Sequence, residues 1–462
     1  MIKEIAKDIA EEILINANRQ RMPRGEKASS LTFSVEKLIR DSVSIRFARN
    51  RNNWASIKKR PAAYTKSRYN ASLSWRIHVK LAYEGMCKLG YLTEEKPGVS
   101  NGPIGLYLTR YKATPKLMRR FKDLEQAILP VIAHPKPVEQ TIRVQAKEPV
   151  WNARFKRMDT KKVLVEYQDN DEIRRMRENL DRVNRVIAGK WIDLELSDDG
   201  FVALQARMRA RTDTNDKNDR QLDLTRTQLY RVFNDTEFNT GGRFYGGWWQ
   251  NIPKRYRRLI TIDGKRTVEA DYSNLHPAIL YAQLGLHPPS DAYTNILPDL
   301  PRKVAKQAFN AMVNANQSTK VQPRGMRLSD YGYRWADVVT AMFEKHQPIS
   351  EAFFRGAGRR LQRKDSELAE RVMLSFLEYA EPVAVLPMHD SFIMHHGYET
   401  ELKTLMEQHF QQMFGQAINI DMEYGDYGPI SIGPAPTDLD KLLEMETGAD
   451  KRLSKFFALR AT

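Results

Sequence analysis

Two aspartates stand in similar settings. The stretch VEADYSNLHPAILYA (268–282) reads as a short strand, Val268 to Asp271, followed at once by a polar, aromatic turn and a helix. Pro277 suits the first turn of that helix, where its missing N–H costs nothing. The stretch PVAVLPMHDSFIMHHG (382–397) reads as an apolar strand, a tight His-Asp-Ser turn and a second apolar run ending at Gly397. That is a β-hairpin with Asp390 at its tip. Either aspartate alone is as readily a solvent-facing cap. Together they are what a two-metal site requires, namely carboxylates on rigid elements that bridge two Mg2+ ions roughly 3.5–4 Å apart. One ion activates an attacking hydroxyl, and the other neutralises charge on a leaving pyrophosphate.

Between the two lies LPRKVAKQAFNAMVNANQ (300–317). Arg302, Lys306, Asn310 and Asn314 recur at four-residue steps and share one helix face. Alone this is a basic surface helix. Beside a carboxylate-metal site it would hold a triphosphate, Arg by paired contacts and Lys as a point charge.

Composition agrees with a polyanionic partner. The chain has 462 residues, with Lys plus Arg at 74 against Asp plus Glu at 57, a formal charge of +17 and a pI near 9.6. Nucleic acid is the usual partner of such an excess. No apolar run approaches the roughly 20 residues of a membrane-spanning helix, so no membrane partner is expected. The N-terminus, MIKEIAKDIAEEILINANRQRMPRG, is an amphipathic helix without the apolar core of a signal peptide. The single cysteine, Cys87, allows no internal disulfide and no cysteine zinc site, which fits a reducing cytoplasm. No HExxH or other histidine metal spacing occurs.

The supporting elements follow. Residues 1–50 read as mostly helical and basic. Leu73, Ile77, Leu81, Tyr83, Met86 and Leu89 give a helical period that Gly90 stops, and YLTEEKPGVSNGPIGLYLTRYKAT reads as two strands around a Gly/Pro/Asn-rich loop. A helix followed by a basic hairpin resembles a winged helix whose Arg110 and Lys112 would lie on phosphates; the competing reading is a purely structural subdomain. Three prolines make 131–150 a linker. Residues 168–190 form a charged helix capped by Asp169 or Asn170, its arginines (174, 175, 177, 182) facing solvent or phosphates.

In order, the strand-Asp, the Arg/Lys helix and the His-Asp hairpin resemble motifs A, B and C of the palm of right-handed nucleic-acid polymerases. DYSNLHP resembles DYSQIE of family A DNA polymerases and DFxSLYP of family B. Arg302 and Lys306 match RxxxK of the family A fingers helix, while Lys306 and Asn310 fit KxxxN of family B. LQRKDSELAERVMLSFLEYA (361–380) is similar to the glutamine-bearing helix before motif C, with Gln362 as the glutamine. HDSF (389–392) matches motif C of single-subunit phage and mitochondrial RNA polymerases, where family A has His-Asp-Glu. TGGRFY (240–245) resembles the Gly-Arg motif before the palm. A helix at about 399–414 and the strand INIDMEYG (418–425) resemble the family A chain ending. The resemblance covers about 225–430.

It implies an α+β polymerase with four parts before its tail: a basic helical and winged-helix-like region (1–130), the linker (131–150), a helical thumb-like region (151–235), and palm with fingers (236–435). A helical tail (436–462) follows. It implies template-directed nucleotidyl transfer by a DNA polymerase without a proofreading exonuclease, on primer–template DNA or RNA with nucleoside triphosphates. Asp271 and Asp390 would hold Mg2+, or Mn2+ in its place. Arg302, Lys306, Asn310, Tyr272 and His276 would line the nucleotide site, with His276 under the sugar. Arg243, Gln362 and His389 would contact primer and template. The departures are Asn310 and Asn314 where the family A fingers helix carries aromatics, with Phe309 as a stand-in for the first; the missing second acid of motif C; and His276 at the sugar gate. They keep a single-subunit RNA polymerase or primase-like enzyme as the alternative, and a non-catalytic DNA-binding replication initiator as the reading from another class.

Overall fold

Isoleucines at three- and four-residue steps open the chain, and Ile2, Ile5, Ile9 and Ile13 bury one face of α1 (Ile2–Asn16). That face packs on α2 (Glu26–Phe47), whose Leu31, Val35, Leu38 and Ile39 are sealed from solvent. A short antiparallel sheet completes this unit: β1 (Ala55–Ile57), β2 (Leu92–Glu95) and β3 (Thr109–Ala113), in the order β1-β3-β2. Between β1 and β2 a stretch of π-type turns, Arg76–Tyr83, continues into α3 (Glu84–Lys88). Gly90 ends it with a φ of +74°, a conformation that costs glycine nothing. After β3, Thr114 caps α4 (Pro115–Met118). The structure is a computed structural model that describes residues 1–17, 26–47, 54–95, 109–121, 140–152, 156–196, 198–210 and 222–424. The expected wing loop (96–108), residues 131–139 of the expected linker and the expected tail (436–462) lie outside the described residues.

A second buried core runs from Ile142 to Ile420. It begins with a correction. Residues 142–150, expected as linker, belong to strand β4 (Ile142–Asn152), which pairs antiparallel with β5 (Arg157–Leu164). The prolines misled because β4 meets its other neighbour only at residues 142–144, so Pro149 lies where one edge has no paired strand. Asn170 caps α5 (Asp171–Ala188), accepting from the Ile173 N–H at 2.8 Å. Then come β6 (Ile192–Leu194), α6 (Asp198–Ala210), β7 (Tyr230–Phe233) and β8 (Gly241–Tyr245). The order β5-β4-β7-β8 makes a four-stranded sheet in which β4 and β7 run parallel. The region expected as helical, 151–235, is therefore mixed helix and strand.

The largest sheet carries the two aspartates. Its strands are β6, β9 (Ile260–Ile262), β10 (Lys265–Tyr272), β11 (Leu386–Pro387), β12 (Ser391–His395) and β13 (Ile420–Tyr424), in the order β11-β12-β10-β9-β6 with β13 also on β10. β6 lies before the boundary expected at 236 and still joins this sheet. The helices are α7 (Lys254–Arg257), α8 (Leu275–Ala282), α9 (Arg302–Asn314), α10 (Trp335–Lys345), α11 (Ala357–Ser375) and α12 (Glu399–Phe414). Helices segregate from a mainly antiparallel sheet, so the chain is α+β. Among the described residues no helix is long and apolar enough to cross a membrane.

Candidate active site

Strand alternation divides β10. Val268, Ala270 and Tyr272 are buried toward α12, while Thr267, Glu269 and Asp271 share the other face. Tyr272, expected at the nucleotide, is a core residue. Only 3% exposed, it donates its hydroxyl to the Met406 carbonyl at 2.9 Å and packs beside Phe392 and Phe410. Adjacent residues of a strand point to opposite faces, and the signal for that was the period-two burial of VEADY.

Asp271 stands directly across from Ser391 on β12, and the Tyr272 N–H donates to the Asp390 carbonyl at 3.2 Å. The hairpin turn thus delivers Asp390 to the same end of the sheet as Asp271. His389 makes this turn with a φ of +76°. Its ring lies edge-on to Tyr245 at 5.4 Å, and burial followed by the charge of Arg243 lowers its basicity, so it is neutral near pH 7.

Burial, then the charge of Asp390, pushes the Asp271 carboxyl up to about 7, against the opposing pull of Lys306. Its Oδ1 is buried with no hydrogen-bond partner among the described residues. A buried carboxylate oxygen without a donor, next to a second carboxylate, fits a divalent cation. Asp421 also stands across from Asp271, on β13, but is exposed. Among the described residues no three histidine, cysteine or acidic groups gather as a metal cluster.

Lys306 is exposed on α9 and close enough to Asp271 for its charge to act there. Its Nζ lies 5.8 Å from the ring of Tyr293, and the Arg302 guanidinium 5.4 Å from the same ring. Arg302 also pairs with Asp291 at 2.6 Å and donates to Asn274 at 3.2 Å, which ties α9 to the turn after Asp271. Asn274 there takes a φ of +53°, tolerated by asparagine. Asn310 is half-buried one turn beyond Lys306, and its carbonyl accepts from Asn314, which packs on Gly358 of α11. Phe309 is a correction. It is fully buried among Tyr293, His346 and Phe353 and takes no stand-in aromatic role at the surface.

Arg243 and His276 meet on a group the motifs did not reveal. Asp365 of α11 is buried and accepts from Arg243 Nε at 2.9 Å and faces His276 Nε2 at 3.1 Å. Arg243, expected on primer or template, is therefore ion-paired inside the protein. Beside it Arg231, with no exposed surface, bonds Glu370 at 2.6 Å, Ser366 at 3.1 Å and the Gly242 carbonyl at 2.8 Å. Two buried acid–arginine links thus fasten β7 and β8 to α11. Gln362, half-buried, precedes Asp365 by one turn. Arg110 and Lys112 share the half-buried face of β3 in the first unit, where Arg110 stacks 4.1 Å from the Trp54 ring.

The sequence reading also missed a basic wall. Lys254, Arg255, Arg257 and Arg258 border a cavity of about 520 Å³ over Thr267, Glu269 and Ile393, on the sheet face that carries Asp271. Arg257 pairs with Glu269, which also accepts from Ser391 Oγ at 2.7 Å, and Lys254 pairs with Glu423.

No family model matches the chain, and no curated protein matches it. Among solved structures it is similar to the POL domain of Pol1 from M. smegmatis in complex with DNA primer-template and dNTP, at 13% identity and a TM-score of 0.31, over 49% of this chain and 52% of that one. The chain thus spans about half the length of that structure.

Proposed function

We propose that the chain is a template-directed nucleotidyltransferase, a DNA polymerase, whose reaction centre is the end of the sheet holding Asp271 and Asp390. The observation that carries the reading is the buried, partnerless Oδ1 of Asp271 beside Asp390 and within reach of Lys306. Asp271 and Asp390 would hold Mg2+, or Mn2+ in its place. The bound cation supplies charge neutralisation for in-line displacement at a phosphorus.

The chain's own residues do the rest. Lys306 and Arg302 draw the triphosphate to the N-terminal turns of α9, with Arg302 exchanging Asp291 for a phosphate. His389 is neutral and packed on Tyr245, so it presents an uncharged ring to the primer terminus. Nε2 of His276 is already engaged by Asp365 and Arg243, which favours a fixed steric role under the sugar over a hydrogen bond from that nitrogen to a ribose hydroxyl. Deoxynucleotides are the substrates this favours. The basic wall from Lys254 to Arg258 lies where a primer–template backbone would cross the acid-bearing face.

The test is a Mg2+-dependent extension assay with all four deoxynucleotides or all four ribonucleotides, with and without primer. Deoxynucleotide extension from a primer is expected. Ribonucleotide extension would favour the RNA-polymerase alternative, and no extension on any template would sink the catalytic reading.

A further inference from the structure

The β4–β5 hairpin lies outside the reaction centre, and its two faces differ. Residues across an antiparallel pair share a face. One face carries Trp151 with Met158, Pro149 with Thr160, Lys147 with Lys162 and Gln145 with Leu164. The other carries Glu148 opposite Lys161, Val150 opposite Asp159, and Arg157, which pairs with Asp159 at 2.9 Å. Acids thus stand only on the second face, which is electrically balanced. The first has two lysines and no acid, and three large apolar side chains lie open on it: Trp151 and Met158 at 58% exposure and Leu164 at 44%.

This face is costly in isolation. Lys147 directly opposite Lys162 is a repulsive cross-strand pair, and an exposed Trp–Met pair leaves apolar area in water. A polyanion with stacking faces relieves both. β4 is held by β7 only at Ile142, Arg143 and Val144, so at ~3.3 Å per residue the Trp151 end stands about 20 Å beyond that support. The same sheet continues through β7 to β8, which carries Arg243.

We propose that the Trp151 face of this hairpin is a binding surface for single-stranded nucleic acid, with the indole stacked on a base and Lys147 and Lys162 on the flanking phosphates. The surface goes beyond the polymerase reading and does not need the reaction centre to be active. A base stacked on an aromatic ring contributes about 1–3 kcal/mol, and each phosphate contact on a single strand lowers the log–log salt slope by about 0.7.

The experiment uses the full chain and a labelled single-stranded oligonucleotide or a blunt duplex, by fluorescence anisotropy at several salt concentrations, without nucleotide or divalent cation. Trp151→Ala should weaken single-strand binding by roughly five- to a hundredfold, with a smaller effect on duplex. Trp151→Phe should stay within a few fold of the parent, and Trp151→Leu should behave like Trp151→Ala. Lys147→Gln with Lys162→Gln should flatten the single-strand slope by about 1.4. The same losses should appear in an Asp271→Asn background, which separates this surface from the catalytic reading. Unchanged affinity on Trp151→Ala overturns the proposal. So does rescue by leucine equal to that by phenylalanine, which would mark an apolar protein-docking surface, and so does an unchanged slope.

Discussion

The carboxylate of Asp365, without solvent-exposed side-chain surface, lies 3.1 Å from Nε2 of His276, and the same oxygen, Oδ2, accepts from Arg243. Removing one partner of a buried ionic group strands the other charge, at a cost of about 3–5 kcal/mol. Asp365→Ala is expected to lower the unfolding temperature markedly. Asp365→Asn, which keeps shape and loses charge, should reduce deoxynucleotide extension and narrow the preference for deoxy- over ribonucleotides by at least about tenfold, the lower part of what one contact confers. Calorimetry and the ratio of kcat/KM for matched nucleotides check this. An Asp365→Ala protein as stable as the parent would contradict the buried linkage.

Asp271→Asn and Asp390→Asn should each abolish extension while leaving nucleic-acid affinity within a few fold, because phosphate contacts come from basic residues. A second readout needs no activity. Mg2+ binding to the folded state should raise the melting temperature of the parent in proportion to RT ln(1 + [L]/Kd), and the rise should vanish in both variants. A variant that keeps the Mg2+-dependent rise did not lose a ligand.

The raised carboxyl of Asp271 makes metal-free stability depend on pH. Its folded pKa of about 7 lies above the ordinary carboxylate value near 4. The folded state therefore holds the proton more tightly, and stability from this group is complete below about pH 4 and lost as pH rises to about 7. Asp271→Asn removes that loss. In chelator at pH 8 the variant should melt above the parent, and the two should converge at low pH. Parallel melting curves across the range would show that Asp271 ionises normally.

Lys306→Ala should raise the apparent KM for nucleotide and lower kcat, since a charge that acts on the triphosphate acts more strongly as pyrophosphate separates. Lys306→Arg should recover part of the loss. Unchanged kinetics would return α9 to a basic surface helix.

The elements that carry the candidate site were legible because their signals are local. The strand ending at Asp271, the Asp390 hairpin and the four-residue steps of Arg302 and Lys306 all appear as read, within element ends. What escaped the sequence was decided by facing rather than by motif. Tyr272 lies one residue from Asp271 and so on the opposite side of the sheet. Asp365 lies in a charged helix where nothing local separates it from solvent-facing Lys364, and its packing on β8 and α8 buries it. Pro149 read as a breaker because a strand with an open edge looks like a loop in sequence.

The placement of β10 has a consequence for synthesis on the ribosome. The strand bearing Asp271 is flanked by β12 and β13, both made much later, and the Ser391–Glu269 hydrogen bond joins residues 122 positions apart. At 5–20 residues per second, β10 waits roughly 6–25 s before its neighbours emerge. During that interval Val268, Ala270 and Tyr272 lack α12, the helix on which Tyr272 packs in the finished fold. The late arrival of the hairpin also means that both carboxylates meet only after the Asp390 hairpin has been made. On the polymerase proposal, a chain that stops before Asp390 would keep its basic wall and one aspartate, and would bind nucleic acid without extending it.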